Sequence, residues 1–232
     1  ITNFAIGAQA EVETQGIDEV EIYLSQEIAP GFFAWLVPTS ENKALAGVIS
    51  SSHAKLHLGK LLDDFCYQGK VISREPEIRQ KTIPLGTLAR TYGDRVLVIG
   101  DAAGQVKPTT GGGIYFGHLG AQMAAGVLHQ ALVNGDLSAA CLSRYEKEWK
   151  AKMGKEISLG CWARRLYARL SDQRIEQIFQ IVDSDGIAES LLKSPDFSFD
   201  WHGNLILAAL KHGMTRQFSK ILHFPEELKA KS

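Results

Sequence analysis

GDAAGQVKPTTGGGIYFG, residues 100–117, carries six glycines and one aspartate, Asp101, in eighteen positions, with no acidic residue after it. Glycine loses the most backbone freedom on folding, so a cluster this dense implies that something approaches the backbone closely. The run leading into it, RVLVIGD (95–101), is a continuous apolar stretch of strand length, as expected of a strand covered on both faces. Behind it, from Pro108 to Gly135, no residue carries a formal charge. A membrane-spanning helix needs about 20 predominantly apolar residues. Here His118, Gln122, His129, Gln130 and Asn134 interrupt the run and its first third is glycine-rich, so the spacing predicts a buried helix reaching about Val133. Phe116, Met123, Ala124, Val127, Leu128, Ala131 and Leu132 form one stripe of that helix. Gly113, Gly117, Ala121 and Ala125 form a second, small enough for another element to come very close.

The order strand, Gly-Asp, small residues, proline and then GGG opening a helix has a chemical reading. Ligands of open parallel sheets bind beyond the carboxyl ends of the strands, where Asp101 stands. A helix N-terminus presents backbone N–H groups and a partial positive charge. Glycines at 111, 112 and 113 let a flat ring or a phosphate reach those groups without meeting a Cβ. Pro108 fixes the approach, and Thr109 or Thr110 is expected to cap the helix. The plain alternative is a tight strand-to-helix turn with a packing stripe.

The stretch resembles the second FAD-binding fingerprint of flavoproteins related to hydroxybenzoate hydroxylase, and most closely the geranylgeranyl reductase family. The resemblance implies that Asp101, with Gly100, holds the ribityl chain of FAD. It implies that Pro108 and the amides of Gly111, Gly112, Gly113 and Ile114 border the pyrophosphate and the N1/O2 edge of the flavin, where a helix dipole favours the reduced anion. PGFFAWLVP (30–38) is similar to the reductase pattern P-x-x-Y-x-W-x-F-P. Pro30, Trp35 and Pro38 match, while Phe33 replaces the tyrosine and Val37 the phenylalanine. By that resemblance Phe33, Trp35, Val37 and Pro38 border the substrate cavity; by pattern alone, alternating large apolar residues on a strand are plain core.

Further expectations follow from the resemblance. The fold is mixed α/β, part of a glutathione-reductase or hydroxybenzoate-hydroxylase-like FAD fold. An antiparallel substrate sheet occupies 1–94, the Gly-Asp loop and helix of the FAD domain 95–135, and a helical region 136–232. The activity is reduction of carbon–carbon double bonds in a polyprenyl lipid or quinone, with hydride from reduced flavin. The electron donor is a nicotinamide, NAD(P)H, a ferredoxin or an electron-transfer flavoprotein. Catalytic residues are not assigned. The family's first fingerprint, G-x-G-x-x-G, is absent from these residues and the chain opens on Ile1, so a C-terminal part that holds FAD weakly or not at all is expected. Rival readings are a flavin monooxygenase or halogenase, a dehydrogenase like electron-transfer flavoprotein-quinone oxidoreductase, and a redox-inert interaction module.

Elsewhere the signals are ordinary. VEIYLS (20–25), GFFAWLVP (31–38) and KALAGVIS (43–50) read as strands, the last two joined by the hairpin SENK. A helix is expected over 53–67 with Leu58, Leu61, Leu62 and Phe65 on one side, and a strand pair within 71–83. After NGD the chain reads as helical from Ser138 to about 224, with breaks near 171–173, 183–186 and 193–197. A net charge of −1 offers no attraction to nucleic acid. Cys66, Cys141 and Cys161 are spaced as buried thiols of a reducing compartment, and a cytoplasmic location, with peripheral membrane contact, is expected. His53 and His57 share a helical face but lack a third ligand, so no metal is expected. His118 is a candidate to face the flavin ring. Arg164, Arg165 and Arg169 suit a diphosphate, a headgroup or an acidic partner, solvated helix charge being the default. Trp149, Trp162 and Trp201 are read as glue between helices.

Overall fold

A computed structural model of the chain describes residues 1–72 and 75–184, together with 189, 193, 198–203 and 206. The strand pair expected at 71–83 includes two residues outside these. The breaks near 183–186 and 193–197 and the helical run to 224 fall mainly outside them. Two compact units are present, Ile1–Leu170 and Ser171–Ser232.

The first unit is built on a five-stranded antiparallel sheet in the order β2-β3-β4-β1-β5. Its strands are β1 (Phe4–Glu13), β2 (Glu21–Tyr23), β3 (Ala34–Ser40), β4 (Lys43–Ser50) and β5 (Arg79–Pro84). β1 was not assigned from the sequence, yet it lies inside the sheet, pairing Glu13 with Lys43 on one side and Gln9 with Arg79 on the other. Its signal is a period of two: Ala8, Ala10 and Val12 are buried while Gln9, Glu11 and Glu13 are exposed. The β3–β4 hairpin turns at Glu41–Asn42, as its sequence predicts.

One face of the sheet is covered by α1 (Ala54–Tyr67), which buries Leu58, Leu61, Leu62 and Phe65 against Ala8, Ala10, Leu36, Ala46 and Val48. The alanines of the strands leave room for those leucines. The other face carries Ala5, Phe32, Ile49 and Leu85, with Phe33, Trp35 and Ile83 half-buried beside them. Trp35 pairs with Gly47 across the hairpin, and its indole occupies the space where a Cβ at 47 would stand.

The run 95–101 departs from expectation. Only Val96–Leu97 (β7) is strand, paired antiparallel with Tyr92–Gly93 (β6), and Val96 is 52% and Ile99 36% exposed. A doubly covered strand needs neighbours on both edges and layers on both faces. Among the described residues β6 is its one strand partner, and the long helices α2 (Ile114–Val133) and α3 (Ala139–Tyr167) supply one layer. α2 accordingly buries Phe116, Gly120, Ala124, Val127 and Ala131, whereas Leu128, Leu132, Ala121 and Ala125 of the expected stripes are exposed.

In the second unit α4 spans Asp172–Ser184, so the predicted break near 171–173 marks its start. Among the described residues no helix is long and apolar enough to cross a membrane.

Candidate functional site

A short 3-10 turn, Gly100–Ala103, joins β7 to the glycine loop, and α2 starts at Ile114 with Gly113 as its N-cap. Gly100, Asp101, Gly113, Ile114, Gly117, His118 and Ala121 line one cleft of about 510 Å³ there. Gly113 is approached closely by the acid. A Cβ on it would stand 2.5 Å from Oδ1 of Asp101, so the carboxylate would have to shift from its place in front of the helix start. No side chain caps α2, which corrects the expectation for Thr109 and Thr110. The reason is that residues 107–112 close on themselves. Lys107 N–H donates to the Gly112 carbonyl at 3.0 Å, Gly111 N–H to the Lys107 carbonyl at 2.8 Å, and Gly112 N–H to the Thr110 hydroxyl at 3.4 Å.

The predicted cofactor residues therefore separate into two groups. Gly100, Asp101, Gly113 and Ile114 meet in the cleft. Pro108, Gly111 and Gly112 moor the turn instead, and the Gly111 and Gly112 amides are bonded within it. Pro108 is buried against α3, 3.0 Å from where a Cβ of Gly160 would be. Gly111, at φ +73°, rests on Ile83 and Ile49, whose Cδ1 atoms lie 3.1 and 3.2 Å from its would-be Cβ.

Those two isoleucines belong to the apolar cluster that contains Phe33 and Trp35, whose rings are 5.8 Å apart and tilted by 51°. The glycine loop and the aromatic strand thus share one sheet face, although they are far apart in sequence. Alternation puts Phe33, Trp35 and Val37 on that face. Pro38 falls on the opposite one and lines a separate cleft with Thr14 to Asp18 and Thr39 to Asn42.

Sequence reasoning missed the residues that hold the loop from behind. Gln105 is fully buried; its Oε1 accepts from Gly100 N–H at 2.9 Å and its Nε2 donates to the Tyr145 hydroxyl at 2.8 Å. Tyr145 in turn donates to the Val98 carbonyl at 3.0 Å. Gly120 lies directly beneath the Gln105 amide, and Gly104, at φ +74°, lies against the Gly86 carbonyl. The uncommon presence of glutamine amid small and apolar residues was the only signal available.

The other singled-out groups disperse. His53 caps α1 in a left-handed conformation (φ 52°), and burial pulls the His57 imidazole below its ordinary value. Among the described residues no group of three or more His, Cys, Asp or Glu could hold a metal ion. Arg165 Nε donates to the Cys161 carbonyl at 3.2 Å, Arg164 lies over the Phe32 ring at 5.3 Å, and Arg169 is exposed. Trp149 is fully buried and donates from Nε1 to the Thr91 hydroxyl at 2.9 Å, while Trp162 and Trp201 are half-buried.

No protein-family model matches the chain. It is 32% identical over 191 residues to a digeranylgeranylglycerophospholipid reductase of Methanothrix thermoacetophila, covering 80% of this chain and 49% of that protein. In fold it is similar to a geranylgeranyl bacteriochlorophyll reductase-like protein of Thermoplasma acidophilum, with a TM-score of 0.75 at 21% identity over 95% of this chain and 55% of that one. A flavin-dependent brominase is similar at a TM-score of 0.58 and 14% identity, over 93% of this chain and 56% of that one. The two structural likenesses are likenesses of fold. The chain spans about half the length of the curated relatives it matches.

Proposed function

Because this chain belongs to the geranylgeranyl reductase family of flavoproteins, we propose that it supplies the flavin-gripping loop and the substrate wall of an FAD-dependent reductase acting on the double bonds of a polyprenyl lipid. Residues 1–94 are read as the substrate part, 95–135 as the grip and 136–232 as a helical region. The observation that carries the reading is the cleft before α2. An uncapped helix start and a carboxylate converge there, and a Cβ on Gly113 would collide with that carboxylate. These residues fit the group: a carboxylate accepts from the hydroxyls of a sugar alcohol, and helix-start amides receive negative charge. When bound, FAD supplies the hydride that saturates an alkene.

This chain's own residues do the rest. Asp101 would hold the ribityl chain, and the helix start at Gly113 and Ile114 would favour negative charge on the bound ring. Phe33, Trp35 and Val37 offer an apolar face to a hydrocarbon tail, and by excluding water they strengthen the electrostatics beside it. The phenylalanine at position 33 contributes no hydroxyl, so proton delivery to the alkene falls to another group or to water.

The test uses the full-length protein without oxygen, given chemically reduced FAD and an unsaturated archaeal-type diether phospholipid. Mass spectrometry should show a gain of two hydrogens per double bond reduced. Product that forms only when oxygen is admitted would favour the monooxygenase or halogenase reading. Full flavin content in Asp101→Ala would favour an inert module.

A further inference from the structure

We propose that Gln105 is the positioning residue of the Asp101 loop, its buried carboxamide setting the turn that presents the carboxylate to the cofactor. This rests on the reading of the loop as the flavin grip. Among the described residues Gln105 is one of four buried polar side chains, and it is completely buried. Its oxygen holds Gly100 N–H at 2.9 Å, immediately before Asp101 in the chain. Its own N–H accompanies this by donating to the Gly100 carbonyl at 3.0 Å, so residues 100 and 105 are tied by backbone and side chain together. The amide nitrogen is fixed by Tyr145, and Tyr145 by Val98 on the near side of the turn. The chain of bonds thus runs from the end of the strand, through α3, back to the residue that opens the turn.

The surroundings admit this amide and little else. A Cβ on Gly120 would lie 2.1 Å from Gln105 Oε1, so α2 gives up a side chain at the point where the amide passes. Gly100 itself has φ +66°, a conformation that one correctly placed hydrogen bond helps to select. The amide uses both of its chemistries at once, acceptor toward Gly100 and donor toward Tyr145. A group with only one of them leaves a buried partner unsatisfied.

That double requirement gives a test with its own internal rescue. A protonated carboxyl also has one acceptor and one donor, whereas an ionised one can only accept. Tyr145 is the titratable group that faces this position, and burial holds its phenol above the ordinary range. In the full-length protein, FAD affinity is measured by quenching of flavin fluorescence for wild type, Gln105→Glu, Gln105→Met and Asp101→Ala. Gln105→Glu is expected to bind FAD like wild type at about pH 5.5 and at least about tenfold more weakly at about pH 8.5, because burial favours the neutral acid. Wild type stays level between the two, and Gln105→Met is weak at both. Equal binding by Gln105→Glu at both pH values, or wild-type affinity in Gln105→Met, overturns the proposal if Asp101→Ala has lost its flavin. If Asp101→Ala keeps its flavin, the flavin-grip reading falls and this inference with it. Should the Gln105 variants not fold, hydrogen exchange decides. The Gly100 amide is expected to exchange slowly in the unaltered chain and at least about tenfold faster in Tyr145→Phe; equal rates overturn the proposal.

Discussion

At the scale of the residue, the glycines of the loop are not interchangeable, and substitution to alanine sorts them. A Cβ at Gly104 would sit 2.0 Å from the Gly86 carbonyl oxygen, with φ at +74°, so both the space and the backbone conformation refuse it. Gly104→Ala should cost about 3 kcal/mol in urea denaturation, the range of overpacking against a backbone that cannot yield. Gly59, inside α1, has nothing within 4 Å of its would-be Cβ. Gly59→Ala should therefore stabilise by about 0.5–1 kcal/mol through helix propensity alone. The sequence showed that residues 100–117 were crowded with glycine. It did not show that Gly111 and Gly112 moor the turn while Gly113 faces the cleft. That division depends on Ile49, Ile83 and Asp101, which reach these positions through the fold. Gln105 went unassigned for the same reason, since its side-chain hydrogen-bond partners, Gly100 and Tyr145, are brought together by the fold and only their meeting makes its burial tolerable.

At the scale of the element, local patterns were legible and borrowed ones were not. The hairpin at residues 34–50 and the helix α1 declare themselves through alternation and an apolar stripe that each carries alone. Leu58 is completely buried on that stripe, and Leu58→Ala should lower stability by about 2–5 kcal/mol in thermal or denaturant unfolding. The start of α3 is equally local: the Ser138 hydroxyl accepts from Cys141 N–H at 3.3 Å, and Ser138→Ala should cost about 1 kcal/mol by the same assay. β1 escaped notice because its inward positions are mostly alanine, which blunts the contrast with its polar partners. Residues 95–101 misled in the opposite way. Their run of aliphatic residues promises a strand buried on both sides, but a residue run specifies an appetite for cover and not which element provides it.

Across the first compact unit, polar anchoring behind the loop makes stability depend on acid. Burial pushes the Glu146 carboxyl up, but the Lys150 ammonium and the amide and hydroxyl of Thr91 outweigh it and hold it below its ordinary value of 4.5. A carboxyl whose folded value is depressed contributes stability that is present above the unfolded value and is lost as pH falls through the folded one. The unfolding free energy should therefore decline as pH drops below about 4.5, and this decline should be shallower in Glu146→Gln, as read from denaturation curves across that window. The same helix carries a geometric consequence. α3 touches the loop's support at Tyr145, the buried Pro108 at Gly160, and the aromatic strand at Tyr167, whose hydroxyl donates to the Phe32 carbonyl at 2.9 Å. One continuous rod thus serves as a caliper, setting how far apart the glycine loop and the segment leading into β3 lie. One residue inserted between Gly160 and Tyr167 would swing Tyr167 by about 100° and shift it by about 1.5 Å, releasing one jaw while the other stays shut.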